Sequence, residues 1–287
     1  MLNRPQESMK KLWGQRILHI IIILVCWSFF YYLEDVYLRY EIFNIKHFIS
    51  QLYDYNWNFS FWYLYAYIPL LISMPLLKRL AQNLSNKEYL YLLTIYIGYS
   101  MIIPTVQYLL TYGKHSLNSD FSLEWMSTYI VIFPLVGYFL EHRCKDFWSV
   151  KKIVVLWIIN IGTIFMSSYL TYVHAKIAGE NSQTFHSMFV FINCITIFVT
   201  IQYIYKHTKI LVKFKGLIKS VGECTFGIYL LHVFIKDYSG LTVYMYSHLQ
   251  SGIPAMSFTF LYSATVFLCC YVIIWIIKHI PFLRNMV

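Results

Sequence analysis

Charge is scarce in this chain. Of its 287 residues only 13% are Asp, Glu, Lys or Arg, about half the share of a soluble globular domain. A water-soluble fold of this length is excluded, because too few charged side chains exist to cover its surface. Acidic residues are the scarcer sign, at 13 against 23 Lys and Arg. Glycine and proline never gather into a linker, and no acidic tail, low-complexity segment or internal repeat divides the sequence. Residues 1–287 therefore read as a single domain. Cysteines are few and show no C-x-x-C or Cys/His ligand spacing, so nothing points to a metal. Cys26, Cys194, Cys224, Cys269 and Cys270 lie in apolar runs and Cys144 in a basic segment, which reads as buried, reduced thiols. The first apolar run is too long for a signal peptide, and no small-residue cleavage site follows it.

What the chain has instead is long apolar runs. Hydrophobic residues make up 59% of it and the mean hydropathy is +0.54. Eight stretches, roughly Ile17–Leu33, Ser60–Leu77, Glu88–Thr111, Leu123–Leu140, Ile153–Val173, Phe185–Tyr205, Leu217–Ile235 and Ala255–Ile277, are each about long enough to cross a ~30 Å hydrocarbon layer as a helix. The cations alternate around them. Of the 23 Lys and Arg, 18 fall before the first stretch and in every second gap after it. Cytoplasmic segments carry the excess of Lys and Arg. The expectation is an all-α polytopic bundle of about eight transmembrane helices with both termini cytoplasmic. The net charge of +10 also admits nucleic acid as a partner, but its dispersal over five segments between apolar runs fits a membrane and not nucleic acid.

Most connections are about ten residues, which makes sequential helices neighbours. Two expected external segments are longer, Glu34–Asn58 and Lys236–Pro254, and both are rich in Tyr with amide or acidic groups. Such surfaces suit sugar hydroxyls; with aromatics at 20% of the whole chain, an interfacial aromatic belt is the plainer explanation.

Polar groups inside apolar spans are functional candidates. Here they are His19, Glu223, His186, His174 and His232, with Asn160 and Asn193 as neutral groups. His174 and His186 sit at helix ends, where an interfacial position explains them. Asn160 and Asn193 fit interhelical hydrogen bonds. His232 differs, since apolar residues flank it on both sides within FGIYLLHVF. It is either a working imidazole or one bonded to a neighbouring helix. Spacings of four and three place Thr225, Tyr229 and His232 near one stripe.

These segments resemble the membrane acyltransferase 3 family, which O-acylates bacterial surface carbohydrates. A Ser/Thr–aromatic–Gly–Ile–Tyr–Leu–x–His segment of that family maps onto Thr225, Phe226, Gly227, Ile228, Tyr229, Leu230 and His232. A Trp–aromatic–Leu–x–Ala segment maps onto Trp62, Tyr63, Leu64 and Ala66, and a basic stretch onto Lys10, Lys11 and Arg16. The likeness covers essentially the whole chain. In the basic stretch His19 stands where the family has a second Arg, and no Pro follows. Family members typically have ten spans, the first bearing an Arg and a His about ten residues apart. This sequence enters the pattern at the third, so the resemblance implies an N-terminally truncated domain without the family's base.

The resemblance implies transfer of an acyl group, acetyl foremost, from acyl-CoA to a hydroxyl of a cell-surface polysaccharide or lipid-linked sugar. Acyl-CoA is then a co-substrate, not a bound cofactor, and the setting is the bacterial cytoplasmic (inner) membrane with its lipid. It gives His232 a supporting role with the acceptor, and Trp62, Tyr63, Thr225 and Tyr229 roles in substrate binding. Lys10, Lys11 and Arg16 become cations for acyl-CoA phosphates; Lys78 and Arg79 lie on the same expected face, and topology alone also explains all five. Two other classes stay open. One is a lipid-linked sugar transporter or flippase, in which Pro104 and Pro134 would break helices. The other is a catalytically inactive partner in polysaccharide assembly.

Overall fold

The computed structural model describes residues 8–40, 42–112, 129–178, 189–238 and 252–281, with the single positions 118, 240, 243, 283 and 284. All regular structure among the described residues is helical. The longer helices are α1 (Met9–Leu38), α2 (Ile45–Asp54), α3 (Trp62–Asn83), α4 (Asn86–Thr111), α5 (Tyr129–His142), α6 (Val150–Ala178), α7 (Val190–His207), α8 (Lys215–Tyr238) and α9 (Gly252–Lys278).

Among the described residues, six runs are long and apolar enough to cross a membrane: α1, Phe59–Asn83, α4, Val150–Ile177, α8 and Ser257–Lys278. They coincide with six of the eight apolar stretches. The other two, Leu123–Leu140 and Phe185–Tyr205, lie partly outside the described residues, and α5 and α7 are their described portions. The chain is a multi-pass helical membrane protein.

Two expectations need correction. Glu34 does not open an external loop: α1 runs on to Leu38, and the following segment folds into α2. Asn44 starts α2 by accepting the amides of Lys46 and His47 at 3.1 and 3.2 Å. Nor does Pro104 break a helix. A π-helical turn, Gly98–Ile102, precedes it and α4 continues; Pro134 likewise lies inside α5. A widened turn absorbs the hydrogen bond that a proline nitrogen cannot make.

The chain forms two compact units whose boundary in sequence runs through α3. One is Leu70–Leu211, holding the end of α3 and helices α4 to α7. Its core includes Tyr96, Met101, Tyr108, Ile132, Leu170 and Val199. A second cluster packs Met74, Leu77, Ala81, Tyr89, Leu135 and Phe139. The turn into α4 is a capping box between Ser85 and Glu88. Arg143, at the end of α5, donates to the Leu84 carbonyl at 3.3 Å and to Asn86 at 3.2 Å. His174 is bonded to the Tyr108 hydroxyl at 2.9 Å, which accounts for it. Asn160 and Asn193 do not form the expected interhelical bonds through their carbonyls. Each Oδ1 is buried without a partner among the described residues.

The other unit is Ser8–Pro69 with Val212–Val287. The Tyr31 hydroxyl donates to the Leu230 carbonyl at 3.0 Å and accepts the Phe234 amide at 3.2 Å. One turn further, Tyr238 bonds Glu34 at 2.9 Å. Contacts that advance together make α1 and α8 parallel. Ser220 meets Tyr271 at 2.7 Å, and Tyr262 meets the Lys236 carbonyl at 3.4 Å, so α9 is antiparallel to α8. The starts of α1 and α8 and the finish of α9 thus share one end of this unit. That end carries Lys10, Lys11, Arg16, Lys215, Lys219, Lys278 and Arg284, all of which the cation pattern groups on one side.

Candidate functional site

The unit of α1, α8 and α9 contains a cleft of about 820 Å³, within the about 300–1,000 Å³ typical of small-molecule sites. One wall comes from the entry to α3. Asn58 has extended backbone, and its Oδ1 accepts the Ser60 amide at 2.9 Å and the Ser60 hydroxyl at 3.0 Å. This bend starts the 3₁₀ turn Phe59–Phe61 and presents Phe59, Ser60, Trp62 and Tyr63 to the cleft.

The facing wall is α8. Thr225, Tyr229, His232 and Lys236 all line the cleft, with the alternating four- and three-residue spacing that keeps side chains on one helix face. The two walls are tied together. Tyr229 donates its hydroxyl to the Ser60 carbonyl, and its ring meets the edge of Tyr63, centroids 5.7 Å apart and planes at 73°, a favourable aromatic geometry. Trp62 and Tyr63 remain 47% and 45% exposed, and Tyr63 also stacks on Tyr67, centroids 5.7 Å apart.

His232 is oriented by its own helix. Its Nδ1 lies 2.6 Å from the Tyr229 carbonyl. A carbonyl only accepts, so a neutral ring carries its proton on Nδ1 and keeps the Nε2 lone pair free. Nε2 has no partner among the described residues. Three other histidines bond carbonyls of their own helices: His142 to Tyr138, His207 to Tyr203 and His279 to Trp275. Each packs on that aromatic ring with centroids 4.0–4.3 Å apart, stacked at His142 and His207 and tilted at His279, and lies in or beside the last turn of a helix, where imidazole caps carbonyls. His232 instead sits in mid-helix and is half-buried on the cleft wall.

Thr225 spends its hydroxyl proton on the Val221 carbonyl at 2.9 Å, so toward a ligand it can accept but not donate. Lys236 closes the far end of the stripe, with Nζ 3.6 Å from Asp237. The cleft therefore combines aromatic faces, a hydroxyl acceptor, a basic nitrogen and one ammonium group. Rings that stack and polar tips that bond suit a polyhydroxylated ligand.

Five residues singled out from sequence, Trp62, Tyr63, Thr225, Tyr229 and His232, meet in this cleft. Lys10, Lys11 and Arg16 do not. They lie on the first turns of α1 at the basic end. His19 is exposed on α1, and His186 lies outside the described residues. Sequence reading missed Asn58, Ser60 and Lys236. Asn58 was findable, as an N-cap residue standing just before an aromatic-rich span.

Glu34 was missed as well. It is buried at 6% exposure. Arg39 contacts one of its oxygens at 3.2 Å and Tyr238 donates to the same oxygen at 2.9 Å. The other oxygen, Oε2, has no partner among the described residues. Arg39 also reaches Asp35 at 3.2 Å and Asp237 at 4.0 Å. Its bond with Tyr238, and after that the Asp35 and Glu34 carboxylates, hold the guanidinium pKa above its usual value against the opposing effect of burial.

A family model described as an acyltransferase domain, of the acyltransferase 3 type, matches residues 1–275. No curated protein and no solved structure matches the chain at a significant level.

Proposed function

The chain belongs to the acyltransferase 3 family, and on that premise we propose that it moves an acyl group, acetyl foremost, from acyl-CoA to a hydroxyl of a cell-surface polysaccharide or lipid-linked sugar. Membership carries the coarser statement: this is a membrane acyltransferase. The acceptor class rests on the cleft, whose aromatic faces and hydrogen-bonding tips suit sugar hydroxyls. The setting we propose is the bacterial inner membrane.

In this reading a sugar ring stacks on Trp62 or Tyr63, and one of its hydroxyls donates to His232 Nε2. As the hydroxyl oxygen bonds the thioester carbonyl carbon, its proton passes to Nε2. The carbon–sulfur bond then breaks and the thiolate leaves, taking a proton. A sugar hydroxyl is a weak nucleophile near neutral pH, so a positioned base lowers the barrier. The observation that carries this step is the Tyr229 carbonyl on Nδ1, which fixes the tautomer with a free Nε2. Tyr229 positions the imidazole and the α3 wall together. Lys10, Lys11 and Arg16 stand at the basic end, away from the cleft, as cations for acyl-CoA phosphates approaching from the cytoplasm.

The test is transfer of label from acetyl-CoA in membrane vesicles containing the chain, with the carbohydrate fraction isolated afterwards. Label in carbohydrate, dependent on the chain, supports the proposal. Label confined to unreacted acetyl-CoA, with the protein folded and inserted, contradicts it.

A further inference from the structure

A second cleft, of about 450 Å³, opens at the basic end of the same unit, between the first turns of α8 and the finish of α9. Its lining includes Glu223, Trp275, Lys278, His279 and Arg284. We infer that it binds a phosphate ester presented at that face of the membrane.

The charge balance is the first argument. Lys278 and Arg284 are both basic side chains, and neither has an ion pair among the described residues. The one carboxylate on the lining among the described residues, Glu223, is 57% exposed and already faces Lys219 at 3.8 Å. Lys278 gives one ammonium hydrogen to the Glu223 backbone carbonyl. That bond holds the ammonium at the cleft and leaves two hydrogens for a ligand. The Arg284 guanidinium offers the paired donors that suit phosphate oxygens.

Helix ends supply the second argument. A helix C-terminus normally repels an anion, and α9 finishes here. Its last carbonyls are occupied, however. His279 Nδ1 donates to Trp275 at 2.7 Å, and the amides of His279 and Ile280 donate to Ile276 and Ile277, each at 3.0 Å. Trp275, 48% exposed and packed against the tilted His279 ring, is at the end of an apolar span, where indole rings collect at headgroup level.

Two sources offer this chemistry, the headgroup of an anionic lipid and a soluble phosphate ester. Basic pockets between transmembrane helices bind lipid headgroups, and coenzyme A carries the same group in water. The experiment separates them with the full chain purified into nanodiscs. One arm counts phosphatidylglycerol retained beside phosphatidylcholine by native mass spectrometry. The other titrates coenzyme A into phosphatidylcholine-only discs. Both are repeated with the Lys278→Gln, Arg284→Gln double variant and with Lys278→Arg, which keeps the charge.

The inference expects one of the two ligands to bind wild type and to bind the double variant about thirtyfold more weakly, since each of the two cations near the surface contributes roughly fivefold. Lys278→Arg should stay within a few-fold of wild type. Loss of phosphatidylglycerol retention identifies a lipid site, and loss of coenzyme A binding a soluble-ligand site. Equal binding by wild type and double variant, or binding of neither probe by wild type, overturns the inference. A double variant that fails to fold is replaced by Arg284→Gln alone, read in the same way.

Discussion

The Tyr229 hydroxyl donates to the backbone carbonyl of Ser60, 169 residues earlier in the chain. This bond joins a late helix to the entry of an early one across the candidate acceptor cleft. It also places the carbonyl that orients His232 and the turn that leads into Trp62 under common control.

Tyr229→Phe should therefore cost more than one hydrogen bond in the open. It leaves the Ser60 carbonyl without its donor in a site where Ser60 is 9% exposed. An orphaned buried polar group costs about 1–3 kcal/mol. Thermal unfolding in detergent should show a lower midpoint, and the KM for acceptor should rise more than kcat falls. An unchanged midpoint would remove the bond from the account.

Arg39 and Glu34 should be strongly coupled. Removing Arg39 leaves a buried carboxylate short of its cation, which is far more costly than losing an exposed ion pair. Because the Arg39 side chain is 55% exposed, solvent offsets part of the loss, and Arg39→Gln should destabilise by about 1–2 kcal/mol. Adding Glu34→Gln should recover part of that. A double-mutant cycle reads the coupling directly; additive effects would show that the pair is independent.

Much of this was legible in sequence, and the limits have physical causes. The apolar runs and the stripe of Thr225, Tyr229 and His232 follow from helix periodicity alone, because a membrane span must be a continuous helix. Glu34 was misread because charge ordinarily marks the end of an apolar span. Here its partner Tyr238 lies 204 residues away, and no local pattern reports such a contact. The short helix α2, by contrast, was legible, since Ile45, Phe48, Ile49 and Leu52 stand at helical spacing behind the N-cap Asn44. Its buried side chain, Phe48, packs against Phe29, Tyr32 and Trp57.

Asn160→Leu should leave stability unchanged or raise it. The Asn160 side chain is 3% exposed and its Oδ1 lacks a partner. Replacing an unsatisfied buried amide by an apolar group of similar size removes a desolvation penalty. The unfolding midpoint should stay level or rise by a few degrees. A clear fall would mean that Asn160 makes a bond in the membrane through a water or another chain.

The central claim is that His232 acts on the acceptor through Nε2. The most direct measurement is the specific acyl-transfer activity of His232→Gln, normalised to folded, inserted protein and set beside His232→Ala. Glutamine keeps a polar side chain but cannot take a proton near neutral pH. The account predicts that both variants lose about a hundredfold or more of their activity, the size of a general-base contribution, at unchanged expression. Wild-type specific activity in His232→Gln, with only His232→Ala impaired, would contradict it and leave the imidazole a structural group.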